Sequence, residues 1–200
     1  MLRYLVPAIL ISGTAAAACP TVADLDTTGI WTRSSDGSIT HYERTGPNLV
    51  SEMTMYDANE GHWLESHLGI YVVRDMSVVN AQRDPQSERI TAFPIPVEKL
   101  PDAIPGESWS GPLQITEGTE VTNEEFSIQY GPTQVYRIGD CEYDAIPADT
   151  VFMSDATTGG TGRLMYLTDL GIALFVASGE FGSFYSDFYT VTDISTEPLQ

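Results

Sequence analysis

The feature that most constrains this chain is a succession of short segments that alternate apolar and polar residues, separated by turn-forming residues at close intervals. In 123–130, Phe126, Ile128 and Tyr130 alternate with Glu125, Ser127 and Gln129, the period-two pattern of a strand with one buried face. Leu49, Met53 and Met55 alternate against Glu52 and Thr54 in the same way. Ser35-Asp36-Gly37 separates 30–33 from 39–42, and its Asp-Gly pair predicts a type I′ hairpin turn. Tyr130-Gly131-Pro132-Thr133 joins the Phe126 segment to 135–138, and 57–61 and 157–160 supply two further loops. Connections this short predict antiparallel pairing, because parallel strands need crossovers of a dozen residues or more.

Residues 172–177 are apolar at every position, with Ile172, Leu174 and Val176 on one face and Ala173, Phe175 and Ala177 on the other. Such a strand belongs at the centre of a sheet covered on both sides. Helix is scarce. Pro20, Thr21 and Asp24 resemble a capped first turn, and a second short piece is expected around Glu98 and Lys99. In the middle of the chain, Pro94, Pro96, Pro101, Pro105 and Pro112 punctuate one stretch, and proline cannot donate to a sheet ladder. Phe93, Ile95, Leu100, Ile104 and Trp109 interleave with the prolines and call for burial, so residues 93–112 are expected to strap across a sheet. The expected architecture is therefore all-β: one domain over 19–200, built as a single antiparallel, strongly curved sheet or a barrel-like or sandwich meander. It has a first meander over about 29–92, the strap, a second meander over about 113–194, and one or two short helices. A weak internal echo fits two meanders, since Leu68-Gly69-Ile70 and Leu170-Gly171-Ile172 each join two strand-like segments.

The first eighteen residues carry Arg3, an apolar run from Leu5 to Ile11, and four alanines ending at Ala18. That is the pattern of a secretory signal cleaved near Ala18, which implies a periplasmic or secreted protein and no transmembrane segment. Two fates are open to Cys19. It can pair with Cys141, the second of the chain's two cysteines, or it can carry a lipid, although Ala16 stands where a lipobox prefers Leu. The bridge would enclose more than a hundred residues and stabilise by roughly 4–5 kcal/mol in the chain-entropy account.

The charge is −19, from 28 acidic groups against 9 basic ones, with Lys99 the single lysine. A surface so acidic repels nucleic acid and anionic headgroups, so neither is an expected partner. It serves solubility outside the cytoplasm or docks a basic partner.

Catalytic signatures are missing. No nucleophile elbow, zinc-protease helix, phosphate loop or dinucleotide fingerprint occurs, and no metal or cofactor is expected. His62 and His67 are five apart, which on one strand places them on opposite faces; His41 stands alone. Glu124-Glu125 and Glu142 with Asp144 could be posed as acid–base pairs, yet among so many carboxylates a solvated face explains them. Asp57 to Gly61 resembles a calcium loop but lacks its later ligands. The aromatics are more suggestive: Phe181, Phe184, Tyr185 and Phe188 crowd one stretch, and together with Trp109 they are the candidate lining for an apolar ligand, if not simply a last strand packed on the core.

Cys19-Pro20-Thr21, Pro105-Gly106 before Trp109, Asp140-Cys141-Glu142-Tyr143, and Tyr166-Leu167 ahead of Leu170-Gly171-Ile172 make the chain resemble uncharacterised secreted proteins of alphaproteobacteria. That resemblance implies no activity. The β-rich meanders also look distantly like periplasmic lipoprotein carriers with an open curved sheet, an analogy of fold alone. The function expected from the sequence is non-enzymatic binding of an apolar small molecule or an envelope component. An acidic protein–protein interaction module of the cell envelope is the alternative, and a hydrolase a further one.

Overall fold

Among the described residues, the alternating segments pair into fifteen strands of one antiparallel sheet. The computed structural model describes residues 18–154, 158–183 and 185–199, so the signal segment through residue 17 and Phe184 lie outside it. Strands β1 (Ile30–Ser34), β2 (Ile39–Gly46), β3 (Leu49–Met55), β4 (Gly61–His67), β5 (Tyr71–Val79), β6 (Gln82–Arg83) and β7 (Arg89–Ala92) precede the proline-rich segment. Strands β8 (Ser108–Glu117), β9 (Glu120–Tyr130), β10 (Gln134–Ile138), β11 (Cys141–Met153), β12 (Gly159–Leu167), β13 (Ile172–Glu180), β14 (Asp187–Phe188) and β15 (Val191–Ser195) follow it. Strands hold 60% of the described residues and helices 6%, which settles the all-β class.

Across the sheet the order is β14-β13-β12-β11-β9-β8-β7-β5-β4-β3-β2-β1-β15, with β10 beside β11 and β6 beside β5. The sheet is not closed. Its two end strands are nevertheless consecutive in sequence: β14 pairs with β13 at one end, and β15 pairs with β1 at the other. Between them the Tyr189 amide donates to the Val176 carbonyl at 2.9 Å, and the Thr190 carbonyl accepts from the Ser35 amide at 2.7 Å. The C-terminal segment thus ties the two ends of an open sheet together.

Several local expectations are corrected. Ser35-Asp36-Gly37 does form the β1–β2 loop, but only Gly37 has positive φ (91°), so the turn is not type I′. With three loop residues instead of two, a glycine in last place takes the left-handed conformation, while the Asp36 carboxylate accepts from the Ser38 amide and hydroxyl at 3.0 and 2.7 Å. A type I′ geometry appears instead at the β4–β5 turn, where Leu68 (φ 57°) and Gly69 (φ 67°) both lie in the left-handed region and the Ile70 amide donates to the His67 carbonyl at 3.0 Å. Strands β9 and β10 do not pair across their short loop. Both pair with β11 in succession, and Pro147 sits where the partner changes, between Ala145 opposite Gln134 and Ala148 opposite Tyr130. Strand β13 buries Ile172 and Leu174 on one face and Ala173 and Ala177 on the other, but Phe175 is exposed, and the strand stands second from one end of the sheet, not at its centre.

The strap is irregular over 93–107 apart from a 3-10 turn at Val97–Lys99; 108–112 already belong to β8. Pro112 is tolerated there because it lies beyond Gln114, the last β8 residue paired with β7, and so forfeits no bond on that side. Leu100 is buried and Phe93, Val97 and Ala103 pack beside it, whereas Ile95 and Ile104 stay exposed, contrary to their expected burial.

Two core clusters result. One gathers Leu25, Ile30, Tyr42, Val50, Ile138, Tyr143, Ile172 and Leu174; the other gathers Ile70, Tyr71, Leu100, Phe126, Ile128, Tyr130, Ile146 and Ala173. The short helix α1 (Val22–Leu25) starts with the Asp24 carboxylate accepting from the Thr21 amide and hydroxyl at 2.7 and 2.8 Å, and buries Leu25 in the first cluster. Just before it, Cys19 is bonded to Cys141 at the start of β11, with Cα atoms 5.6 Å apart. A disulfide fits an extracytoplasmic location. Among the described residues no helix is long and apolar enough to cross a membrane.

Candidate functional site

Antiparallel register stacks residues of successive strands into cross-strand rows, and two rows on β1–β5 define a polar wall. In the first, Thr32, Thr40, Thr54 and His62 stand opposite one another in turn. The Thr40 and Thr54 hydroxyls are 2.9 Å apart. In the second, Ile30, Tyr42, Glu52, Leu64 and Asp75 are aligned in the same way. The other face of β3–β5 carries Met53, Met55, Trp63, Met76 and Val78, a small separate cluster with the Arg83 guanidinium 4.0 Å above the Trp63 ring.

Facing the polar rows is an apolar wall from β9, β11, β12 and β13. Between the two walls lies a cleft of about 600 Å³, lined on its apolar side by Phe126, Phe152, Leu164 and Phe175, with Ile70 of the β4–β5 turn and Val72 of β5 adding apolar surface from the opposite half of the sheet. A second lobe of about 420 Å³ adjoins it and shares His62, Leu64, Ile70, Val72, Phe126 and Phe152. Phe126 and Phe152, with ring centroids 4.7 Å apart, therefore stand between the lobes. The exposed edges of Tyr56, Phe152 and Phe175 give the mouth of the cleft an aromatic rim. Glycine shapes the apolar wall at Gly162, where a Cβ would lie 2.9 Å from the Thr150 hydroxyl and 3.1 Å from the Phe175 ring. The missing side chain is what lets that ring lie across the strand.

The titratable groups divide between the lobes. Glu52 faces the main lobe from the centre of the polar wall, and burial pushes its carboxyl up to about 8. Burial, with Glu52 beside it, also raises the Tyr42 hydroxyl well above its ordinary range. In the second lobe the Asp75 carboxylate lies 3.8 Å from His62 Nε2 and 3.9 Å from Arg89. Desolvation raises Asp75 there, and the Arg89 and His62 charges oppose it. Among the described residues no group of three His, Cys, Asp or Glu could hold a metal ion.

The histidines stay apart. His41 stacks on Trp31 with centroids 4.0 Å apart, His62 lines the cleft, and His67 is buried, which lowers its pKa. Of the carboxylates weighed as pairs, Glu142 is bound to Arg137 at 2.5 Å and Glu124 lines the second lobe. Asp57 turns its carboxylate to the Asn59 and Glu60 amides at 2.7 and 2.8 Å.

Of the aromatic residues singled out from the sequence, none of the described ones lines either lobe. Trp109 comes nearest, in an interior cluster with Tyr71, Phe93 and Phe126 at centroid distances of 6.0–6.1 Å. Tyr185 donates to the Asp149 carboxylate at 2.7 Å, and Arg163 holds the same carboxylate through two bonds of 2.6 and 2.9 Å. Phe181 and Phe188 are exposed, Phe188 by 71%. Phe184 is outside the described residues. What the sequence reading passed over is the row Thr32–Thr40–Thr54 and the carboxyl of Glu52. A period-two pattern marks their face, but it cannot distinguish a polar cavity from bulk water.

No family model matches the chain, and no curated protein does. Among solved structures, the crystal structure of a "putative lipoprotein" from Parabacteroides distasonis aligns with 89% of this chain and 100% of its own, at 11% identity and a TM-score of 0.38. At that level of similarity neither fold nor function carries over.

Proposed function

We propose that this is an exported β-protein that binds an apolar or amphiphilic small molecule in the cleft between its two walls. The observation that supports it is the cleft itself: about 600 Å³ of space, within the size range of small-molecule sites, with aliphatic and aromatic side chains on one wall and a few placed polar groups on the other. An ordinary core fills such space, because interiors pack to crystal density. The disulfide and the signal-like start of the chain support export. The exposed Phe181 and Phe188, with the Tyr185 ring centroid 6.4 Å from that of Phe188, fit a secondary contact surface near the C-terminus.

The test is uptake of the apolar fluorophore 1-N-phenylnaphthylamine. The protein is expected to bind it saturably, and Leu164→Glu is expected to abolish uptake while retaining the β-sheet signal in circular dichroism. Equal uptake by the two proteins, or none by either, would refute the reading.

A further inference from the structure

We infer that the occupant of the main lobe carries a protonated amine on its apolar body, with the Glu52 carboxylate as its counter-ion; this rests on the binding role proposed above. Glu52 stands between Tyr42 and Leu64 in the second cross-strand row and faces the space, so its carboxyl is reached from the cleft while protein surrounds it elsewhere. Among the described residues no hydrogen bond reaches its carboxyl and no cation lies beside it, while Tyr42 and Tyr56 are its titratable neighbours.

A carboxyl desolvated without a partner is costly to ionise, and a ligand cation supplies what the protein omits. The rest of the lobe agrees. Among the described residues no lysine or arginine lines it, and His62, the one basic group there, faces Asp75 of the second lobe. Asp36 adds a second carboxylate at the mouth. The net charge of −19 gathers cations around the entrance and disfavours an anionic headgroup such as a carboxylate or phosphate. The apolar wall opposite Glu52 takes the hydrocarbon, and the Thr40–Thr54 pair beside it offers acceptors for the remaining ammonium hydrogens.

Because Glu52 is mostly protonated near pH 7 in the empty cleft, seating an ammonium ion there expels its proton to the buffer. An alcohol of the same length expels none.

The experiment titrates the disulfide-bonded protein with dodecylamine, dodecanol and dodecanoate at pH 7, below their micellar concentrations, by calorimetry in buffers of different ionisation enthalpy. Dodecylamine is expected to bind about tenfold or more tighter than dodecanol, with proton release, and dodecanoate most weakly. Glu52→Gln, which keeps the shape, is expected to bring dodecylamine and dodecanol to equal affinity and to abolish the proton release. Dodecanol binding as well as dodecylamine would overturn the inference and leave the apolar site standing. So would an amine preference that survives in Glu52→Gln. Failure of all three ligands would overturn the apolar site and this inference together.

Discussion

Gly69 and Ala173 touch backbone to backbone: a Cβ placed on Gly69 would lie 2.8 Å from the Ala173 nitrogen and 3.2 Å from the Ile172 Cα. The β4–β5 turn of one half of the sheet is thereby seated on the first residues of β13 in the other. The two Leu-Gly-Ile segments that echo each other in sequence are in contact in space.

That contact predicts an asymmetry between two glycines of similar conformation. Gly69→Ala must bear both the left-handed backbone (φ 67°) and the clash, and is expected to cost about 2–4 kcal/mol. Gly118→Ala shares the conformation (φ 57°) but meets nothing within 4 Å, so about 1–2 kcal/mol is expected. Urea denaturation of the two variants checks this; equal losses would mean that the turn does not bear on β13.

The strap is held by a buried hydrogen-bonded pair. The Tyr71 hydroxyl donates to the Pro101 carbonyl at 3.1 Å and lies 3.0 Å from the Tyr130 hydroxyl, which is then the donor to it. Tyr71→Phe takes their partner from the buried Tyr130 hydroxyl and the part-buried Pro101 carbonyl and is expected to cost about 1–3 kcal/mol, against about 1 kcal/mol for Tyr130→Phe. Amide exchange over 93–107 should speed up in Tyr71→Phe before the rest of the protein responds.

Much of this architecture is legible in the sequence. Phe126, Ile128 and Tyr130 are buried as their alternation requires, the β1–β2 loop falls at Ser35-Asp36-Gly37, and Cys19 meets Cys141. The site is not legible, and β3 shows why. Met53 and Met55 are its apolar face by composition, yet they form a small cluster with Trp63, while Glu52 and Thr54 line the cleft. Burial of apolar surface normally turns the polar face of a strand to water, but a cavity with a polar wall reverses that inference without changing the pattern. In the aromatic-rich stretch near the C-terminus Tyr185 is engaged by Asp149, while the cleft takes its aromatics singly from distant strands, such as Phe126 and Phe175.

Glu52 gives stability an unusual pH dependence. Its folded pKa of about 8 exceeds its ordinary 4.5, so the folded state holds a proton that the unfolded state has lost across that interval. Stability contributed by this group is therefore complete below pH 4.5, declines as pH rises, and is lost above about 8, a change on the order of 2–4 kcal/mol. Glu52→Gln should flatten the curve over that range and exceed the natural protein in stability at pH 8.5. Urea midpoints measured from pH 4.5 to 8.5 decide it; parallel curves would show that Glu52 is solvated.

The disulfide closes a loop spanning 122 positions, so Cys19→Ser with Cys141→Ser is expected to cost about 5 kcal/mol in the chain-entropy account. Urea midpoints of the double variant against the oxidised protein check the magnitude. A non-reducing mass two hydrogens below that of the reduced chain identifies the bridge; a mass raised by a diacylglyceryl group on Cys19 would contradict it.

Whether ligand enters the space between the walls is read most directly by methyl-resolved NMR during titration with dodecanol. Saturable shifts are expected at Leu64, Ile70, Val72 and Leu164, which line the cleft, with Met53 and Met76 on the opposite face unmoved. Shifts confined to Met53 and Met76, or no saturable shift at the four lining residues, would contradict the account.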